Sequence, residues 1–220
     1  VSENKPFITA DGSTTLCSDK FGVHYHSTHG AITESRHIFI DAGLLAVAKG
    51  NIKILEIGLG TGLNAALTAD YANENKIKVT YKALELYPIT QYEHSLLNYN
   101  KTLPPQTANM WDRICRAAWN DRVEISPFFS IRKLEQDFTT WRPKEKFDLI
   151  YFDAFAPDNQ PEMWQAEQFA KLYKSLNPGG ILVTYSVKGT VKNALKEAGF
   201  SIERLPGPPG KRHMLRAIHE

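Results

Sequence analysis

The sequence predicts an α/β fold with a mostly parallel central sheet and an antiparallel edge hairpin. Three observations predict it. From residue 53 onward, short apolar runs alternate with segments of helical periodicity, the pattern of βαβ units. A glycine-rich turn at 58–62 separates the first strand from its helix. The last two strand-like runs, 200–205 and 214–218, lie too close together for the long crossover that parallel strands require, so they read as a hairpin.

The elements follow in order. Residues 1–30 are polar with scattered aromatics and predict turns or a short hairpin. Residues 31–48 (AITESRHIFIDAGLLAVA) carry apolar side chains at helical spacing and predict one helix or two short ones. Together, 1–48 are expected to form a small N-terminal extension ahead of a domain over 49–220. That domain opens with a strand at 53–57 (KILEI), a helix at 63–73 and a second strand at 79–84 (VTYKAL). Residues 88–121 read as helical, broken at Pro104 and Pro105. Strands are expected at 123–129 (VEISPFF), 147–152 (FDLIYF) and 181–186 (ILVTYS), helices at 161–175 and 190–198, and a turn at 177–180 (NPGG).

Composition narrows the class. The 220 residues are 42% hydrophobic and 23% charged, an ordinary globular balance with enough chain for a sizeable core. No apolar run approaches the roughly 20 residues of a membrane span, and VSENKPFITA lacks the basic and apolar regions of a signal peptide. Cys17 and Cys115 make neither a disulfide framework nor a zinc site, so a reducing, cytoplasmic setting is expected. A net charge of +2 permits an acidic partner without arguing for one; the stretch 204–216 carries Arg204, Lys211, Arg212 and Arg216 and no acid.

Ligands of such sheets bind beyond the carboxyl ends of the strands. The first candidate there is Glu56-Ile57-Gly58-Leu59-Gly60-Thr61-Gly62. Dinucleotide loops read G-x-G-x-x-G and meet a pyrophosphate. Here the spacing is G-x-G-x-G, and a carboxylate two residues ahead would repel a pyrophosphate. It would attract an ammonium group, such as that of S-adenosylmethionine. Glu85, ending the second strand, is placed to accept hydrogen bonds from ribose hydroxyls. Asp153 ends the 147–152 strand and is followed by Phe155 and Pro157. A carboxylate there can hold an amine and take its proton, and an aromatic wall can bind a cationic or planar substrate. Asp148 reads as structural. His24, His26, His29 and His37 do not match a metal motif, and no metal is expected.

These segments together resemble the methyltransferase domain of the MnmC family of tRNA-modifying enzymes, which also occurs as a free-standing protein. The resemblance is carried by YHSTHGAITESRHIFIDAGL at 25–44, ILEIGLGTGLN at 54–64, ALELYP at 83–88, LNPGGILVTYSVKGTVKNALKEAGF at 176–200 and GPPGKRHML at 207–215. Its most specific part is YFDAFAPDNQPEMW at 151–164. It implies a Rossmann-like class I S-adenosylmethionine-dependent methyltransferase. The implied reaction is N-methylation of the 5-aminomethyl group of the wobble uridine, often 2-thiolated, giving 5-methylaminomethyl-uridine. On this resemblance Asp153 is the active-site carboxylate. Glu34, Glu56, Gly58, Gly60, Gly62, Glu85 and Asp153 hold the cofactor, with Glu34 and Arg36 on a segment that closes over the site. Phe155 and Pro157 meet the substrate, and Lys211 and Arg212 lie near the anticodon region of tRNA. Ser130 stands where many methyltransferases place an acid near the adenine.

Bifunctional members also carry an FAD-dependent oxidase domain. This sequence has a single glycine loop, so methyl transfer without FAD is expected, with a separate enzyme that installs the aminomethyl group as functional partner. The competing readings are an aminopropyltransferase on the same fold, a non-catalytic RNA-binding module and a small NAD-dependent oxidoreductase.

Overall fold

A computed structural model describes residues 4–47 and 50–220. Strands β1 (Lys5–Ile8) and β2 (Thr14–Cys17) form a separate antiparallel hairpin. The main sheet contains β3 (Ile52–Ile57), β4 (Val79–Glu85), β5 (Arg122–Ser126), β6 (Phe129–Glu135), β7 (Phe147–Phe152), β8 (Leu176–Thr184), β9 (Ser201–Pro206) and β10 (His213–Ile218). Its spatial order is β5-β6-β4-β3-β7-β8-β10-β9. The five strands from β6 to β8 are parallel; β5 and the β9–β10 hairpin run antiparallel at the two edges. The order reverses direction at β3, between β4 and β7, which opens a crevice at their carboxyl ends.

The central strands are buried on both faces, as parallel sheets require. Alternate residues divide between two cores. Ile54, Tyr81, Leu149 and Tyr151 face one core; Leu55, Leu84, Ile150 and Phe152 face the other. The first is covered by α3 (Leu63–Asn75) and α6 (Pro105–Arg116), together with a continuous helical segment made of α1 (Ala31–Ser35), a π-helical stretch (Arg36–Leu44) and α2 (Leu45–Val47). The second is covered by α7 (Ala166–Ser175) and α8 (Gly189–Glu197). Alanines at 65, 66, 69 and 72 let α3 lie close to the sheet. The expected boundary at 48/49, and the end of the expected 31–48 helix, fall outside the described residues.

Three expectations are corrected. The run 88–121 divides into α4 (Gln91–Ser95), α5 (Tyr99–Thr102) and α6. Thr90 and Glu93 form a capping box at the start of α4, and Pro105 begins α6, where its missing N–H costs nothing. The turn expected at 177–180 lies within β8, at an irregular register against β7.

The third correction matters most for the site. The strand expected over 123–129 is two strands, because Pro127 cannot continue the ladder. The parallel strand is β6, residues 129–135. It is hard to read in sequence because Arg132 and Lys133 interrupt its apolar pattern. Lys133 is nonetheless buried, and its ammonium donates to the Ile114 and Cys115 carbonyls at the end of α6, at 2.9 and 3.0 Å. Ser130 therefore sits at the start of β6, at the opposite end of the sheet from the crevice, and its hydroxyl accepts from Arg122 Nε at 3.1 Å. It is not an adenine-side residue.

Among the described residues, no helix is long and apolar enough to cross a membrane.

Phe169 has no exposed surface and packs against Phe152, with ring centroids 5.1 Å apart. Replacing it with Ala should cost about 3–5 kcal/mol in urea unfolding. Phe7→Ala, on the exposed hairpin, should change stability by less than about 0.5 kcal/mol.

Candidate active site

The crevice encloses about 470 Å³ at the carboxyl ends of β3, β4 and β7, within the roughly 300–1,000 Å³ usual for small-ligand sites. The segment 20–27 and Lys211 close it from the other side.

The loop from β3 to α3 supplies its floor. Gly58 has φ +88°, and a Cβ there would stand 2.6 Å from the Asp153 carbonyl oxygen; only glycine lets the β3 and β7 tips approach so closely. Gly60 lines the crevice, and its N–H donates to Glu85 Oε2 at 3.0 Å. Gly62 does not line it. It caps α3 in the left-handed conformation and packs toward Ile114 and Trp111, which corrects its expected contact with the cofactor. Glu85 also accepts the Tyr87 N–H at Oε1, 2.9 Å. Burial pushes its carboxyl above the usual range, against the pull of these backbone bonds.

Behind the floor lies a three-residue polar unit. Asn64, in the first turn of α3, donates from Nδ2 to Glu56 Oε1 and to Asp153 Oδ2, each at 2.9 Å. Glu56 is fully buried and is not among the residues lining the crevice, so it backs the site rather than meeting a ligand. Among the described residues, its Oε2, Asn64 Oδ1 and the Tyr81 hydroxyl are buried without a hydrogen-bond partner within 3.5 Å. Burial, with Asp153 adding to it, holds Glu56 well above the usual carboxylate range. Asp153 does line the crevice, and burial pushes it up to about 7; the charge of Glu34 adds to the rise, while the Asn64 bond and Lys211 oppose it.

Glu34 also lines the crevice. Its Oε1 pairs with Lys211 Nζ at 2.5 Å, and its Oε2 accepts the Ser27 N–H at 2.7 Å. The Lys211 ammonium stands 4.4 Å above the Tyr185 ring, and the Tyr185 hydroxyl donates to the Ala154 carbonyl at 2.8 Å. Lys211 is thus an inward-facing residue held by a carboxylate and an aromatic face, not the RNA contact expected of it. Arg212 and Arg36 are exposed and outside the crevice.

Aromatic rings form the remaining wall. Phe155 meets Phe21 at 4.7 Å and Tyr25 at 4.9 Å between ring centroids. Its backbone is fixed on both sides: the N–H donates to Gln160 Oε1 at 3.1 Å, and the carbonyl accepts from Trp164 Nε1 at 2.9 Å. Pro157 lies beyond this wall and does not line the crevice, so the expected substrate contact is corrected to Phe155 alone. His26 lines the crevice beside Thr15, and burial lowers it to about 4, so it is neutral at pH 7. His37 instead faces the Pro206 carbonyl. Among the described residues, no three His, Cys, Asp or Glu side chains gather as a metal site.

Sequence reasoning missed Asn64, Tyr25, Tyr185, Gln136 and Asp137. The last two line the crevice at the carboxyl end of β6, where an acid was sought and Ser130 was named. Asn64 carried a legible signal: a poor helix former one residue into a helix, eight residues after an acid that the strand was bound to bury.

Comparison with known proteins agrees with this geometry. Residues 120–220 match a family model described as S-adenosyl-L-methionine-dependent methyltransferase. The MnmC2 protein of Aquifex aeolicus superposes over 100% of this chain and 71% of its own, with TM-score 0.83 and 24% identity. Spermidine synthase from Thermotoga maritima superposes over 94% and 69%, with TM-score 0.56 and 13% identity. The fold is that of the class I S-adenosyl-L-methionine-dependent methyltransferases. By sequence, the chain is similar to MnmC proteins. It is 32% identical to the tRNA 5-methylaminomethyl-2-thiouridine biosynthesis bifunctional protein MnmC of Aromatoleum aromaticum, over 96% of this chain and 35% of that protein. The chain spans about a third of the length of the curated relatives it matches.

Asp153 ionises near 3.8 when unperturbed and near 7 in the fold. Folding therefore favours its protonated form; that contribution is complete below about pH 4 and is lost as pH rises through 7. Asp153→Asn should match the parent in urea unfolding at pH 4 and exceed its stability at pH 8. A variant less stable than the parent at pH 8 would contradict the buried-carboxylate reading.

Proposed function

We propose that this chain methylates the primary amine of a 5-aminomethyl group on the wobble uridine of tRNA, giving 5-methylaminomethyl-uridine, with the base 2-thiolated or not. The observation that carries the reading is Asp153: a carboxylate pushed up to about 7, at the carboxyl end of a central strand, beside an aromatic wall. The similarity to MnmC, a protein named for 5-methylaminomethyl-2-thiouridine biosynthesis, supports the choice of substrate.

The residues fit S-adenosyl-L-methionine. Gly58 and Gly60 present bare backbone to the crevice. The Glu85 carboxylate oxygens accept the Gly60 and Tyr87 N–H groups, and each oxygen has a further lone pair with which to accept from a ribose hydroxyl. Gln136 and Asp137 would meet the adenine edge. Glu34 and Asp153 supply negative charge for an ammonium group. When bound, the cofactor supplies an electrophilic methyl group on a sulfonium.

The chain's own groups then act on the amine. An aliphatic amine is mostly protonated near neutral pH, and its lone pair is available only once that proton leaves. Asp153, titrating near 7, can accept it and hold it at Oδ1 while Oδ2 stays on Asn64. Lys211, paired with Glu34 beside Asp153, opposes the rise in the proton affinity of Asp153 and so keeps part of it ionised to act as the base. Phe155, Phe21 and Tyr25 would stack against the uracil and exclude water. In this scheme 1–48 form an extension that covers the site and 49–220 form the catalytic domain. The reaction belongs in the cytoplasm, beside a separate enzyme that supplies the aminomethyl group.

Asp153→Ala should abolish methyl transfer while leaving cofactor affinity within about tenfold, or ~1.4 kcal/mol. Mass analysis of wobble-uridine nucleosides, after incubating hypomodified tRNA with protein and methyl donor, tests the reading. A mass gain of one methyl on the aminomethyl nucleoside is expected, and its absence with the parent protein would refute the reaction.

A further inference from the structure

Two of the four cations in the 204–216 stretch are already engaged by acids of the chain itself. Lys211 is held by Glu34, and Arg216 is held by Glu203 and the Ala42 carbonyl. Five other cations, Arg142, Lys144, Lys146, Lys171 and Lys174, surround a second cavity of about 560 Å³ between the 142–146 loop and α7. Among the described residues, none of the five has a carboxylate within salt-bridge distance. Two acids share this wall. One, Glu145, is turned toward Lys82 and Lys53; the other, Glu167, is exposed.

Backbone carbonyls fix three of these cations without neutralising them. Arg142 donates to the Thr139 and Trp141 carbonyls at 3.0 Å each, Lys146 to that of Lys174 at 2.6 Å, and Lys171 to that of Phe138. Burial, and after it Arg142, push Lys171 down to about 8, with Asp137 and Glu167 opposing. Phe138 joins the two cavities. Its ring lies 3.8 Å from Lys171 Nζ, and the same residue lines the crevice.

We propose that this second cavity docks the phosphodiester backbone of RNA while the crevice takes one nucleotide. The inference rests on the reading of tRNA as substrate. A single nucleotide offers few phosphates, whereas affinity for a folded RNA comes mainly from many cation–phosphate contacts. The five cations are spread over a loop and a helix face, as a run of phosphates requires; Lys171 adjoins Phe138 of the crevice wall, and Lys146 and Lys174 lie toward the amino ends of β7 and β8.

The test reverses two exposed side chains that make no hydrogen bond among the described residues, Lys144→Glu with Lys174→Glu. The control applies the same charge change on the hairpin, Arg204→Glu with Arg212→Glu. Binding of hypomodified tRNA is followed by fluorescence anisotropy across a salt series, with cofactor affinity measured by calorimetry. The cavity pair should weaken RNA binding about tenfold or more and flatten the log–log salt slope by about 2, with cofactor affinity unchanged. The milder Lys144→Gln with Lys174→Gln should shift both in the same direction. An unchanged slope, an equal loss in the control pair, or no tRNA binding by the parent protein overturns the docking site. A parent protein that binds tRNA through this cavity yet forms no methylated nucleoside overturns the reaction and leaves the docking site standing.

Discussion

Two carboxylates that would repel one another are buried at the tips of adjacent strands, and one amide group bridges them. Asn64 Nδ2 reaches Glu56 on β3 and Asp153 on β7 at equal distance. Buried charge of this kind is tolerated only where hydrogen bonds compensate it. The amide's position depends on α3 starting at Gly62, and the closeness of the two tips depends on Gly58. Turn, helix start and acid pair therefore stand or fall together. Burial, with the charge of Glu34, makes the crevice-facing carboxyl bind a proton far more readily than an exposed aspartate, and the Asn64 bond holds that rise in check.

The front of the site repeats this logic with the opposite sign. Glu34 comes from the helical segment ahead of the sheet and Lys211 from the loop before β10, 177 residues apart in the chain. Their pairing joins the two ends of the chain over the crevice. Phe21 and Tyr25 pack on Phe155 in the same region, so the amino-terminal segment contributes both charge and apolar wall.

The parallel sheet, the glycine loop, Glu85 and Asp153 were legible because strand periodicity, glycine spacing and strand-terminal acids are local signals. What was not legible was tertiary. Lys133 disguised β6 because a buried lysine is rare unless something distant, here the end of α6, receives its ammonium; that misplaced the adenine side by one strand and produced Ser130. Lys211 looked like a solvated basic residue because its partner lies far away in sequence. Glu56 looked like a ligand because spacing gives no depth, and only the packed α3 shows that Asn64 and Asp153 stand between it and the crevice. Pro157 was placed one turn too close for a similar reason: a loop's sequence does not say which of its residues faces inward.

The central claim is that Asn64 and burial together set the proton affinity of Asp153. The most direct measurement is a carbon-13 NMR titration of the Asp153 carboxyl group in the parent protein and in Asn64→Leu. The account predicts an inflection near 7 in the parent, moving higher when the amide is removed. An inflection near 4 in both proteins would contradict it.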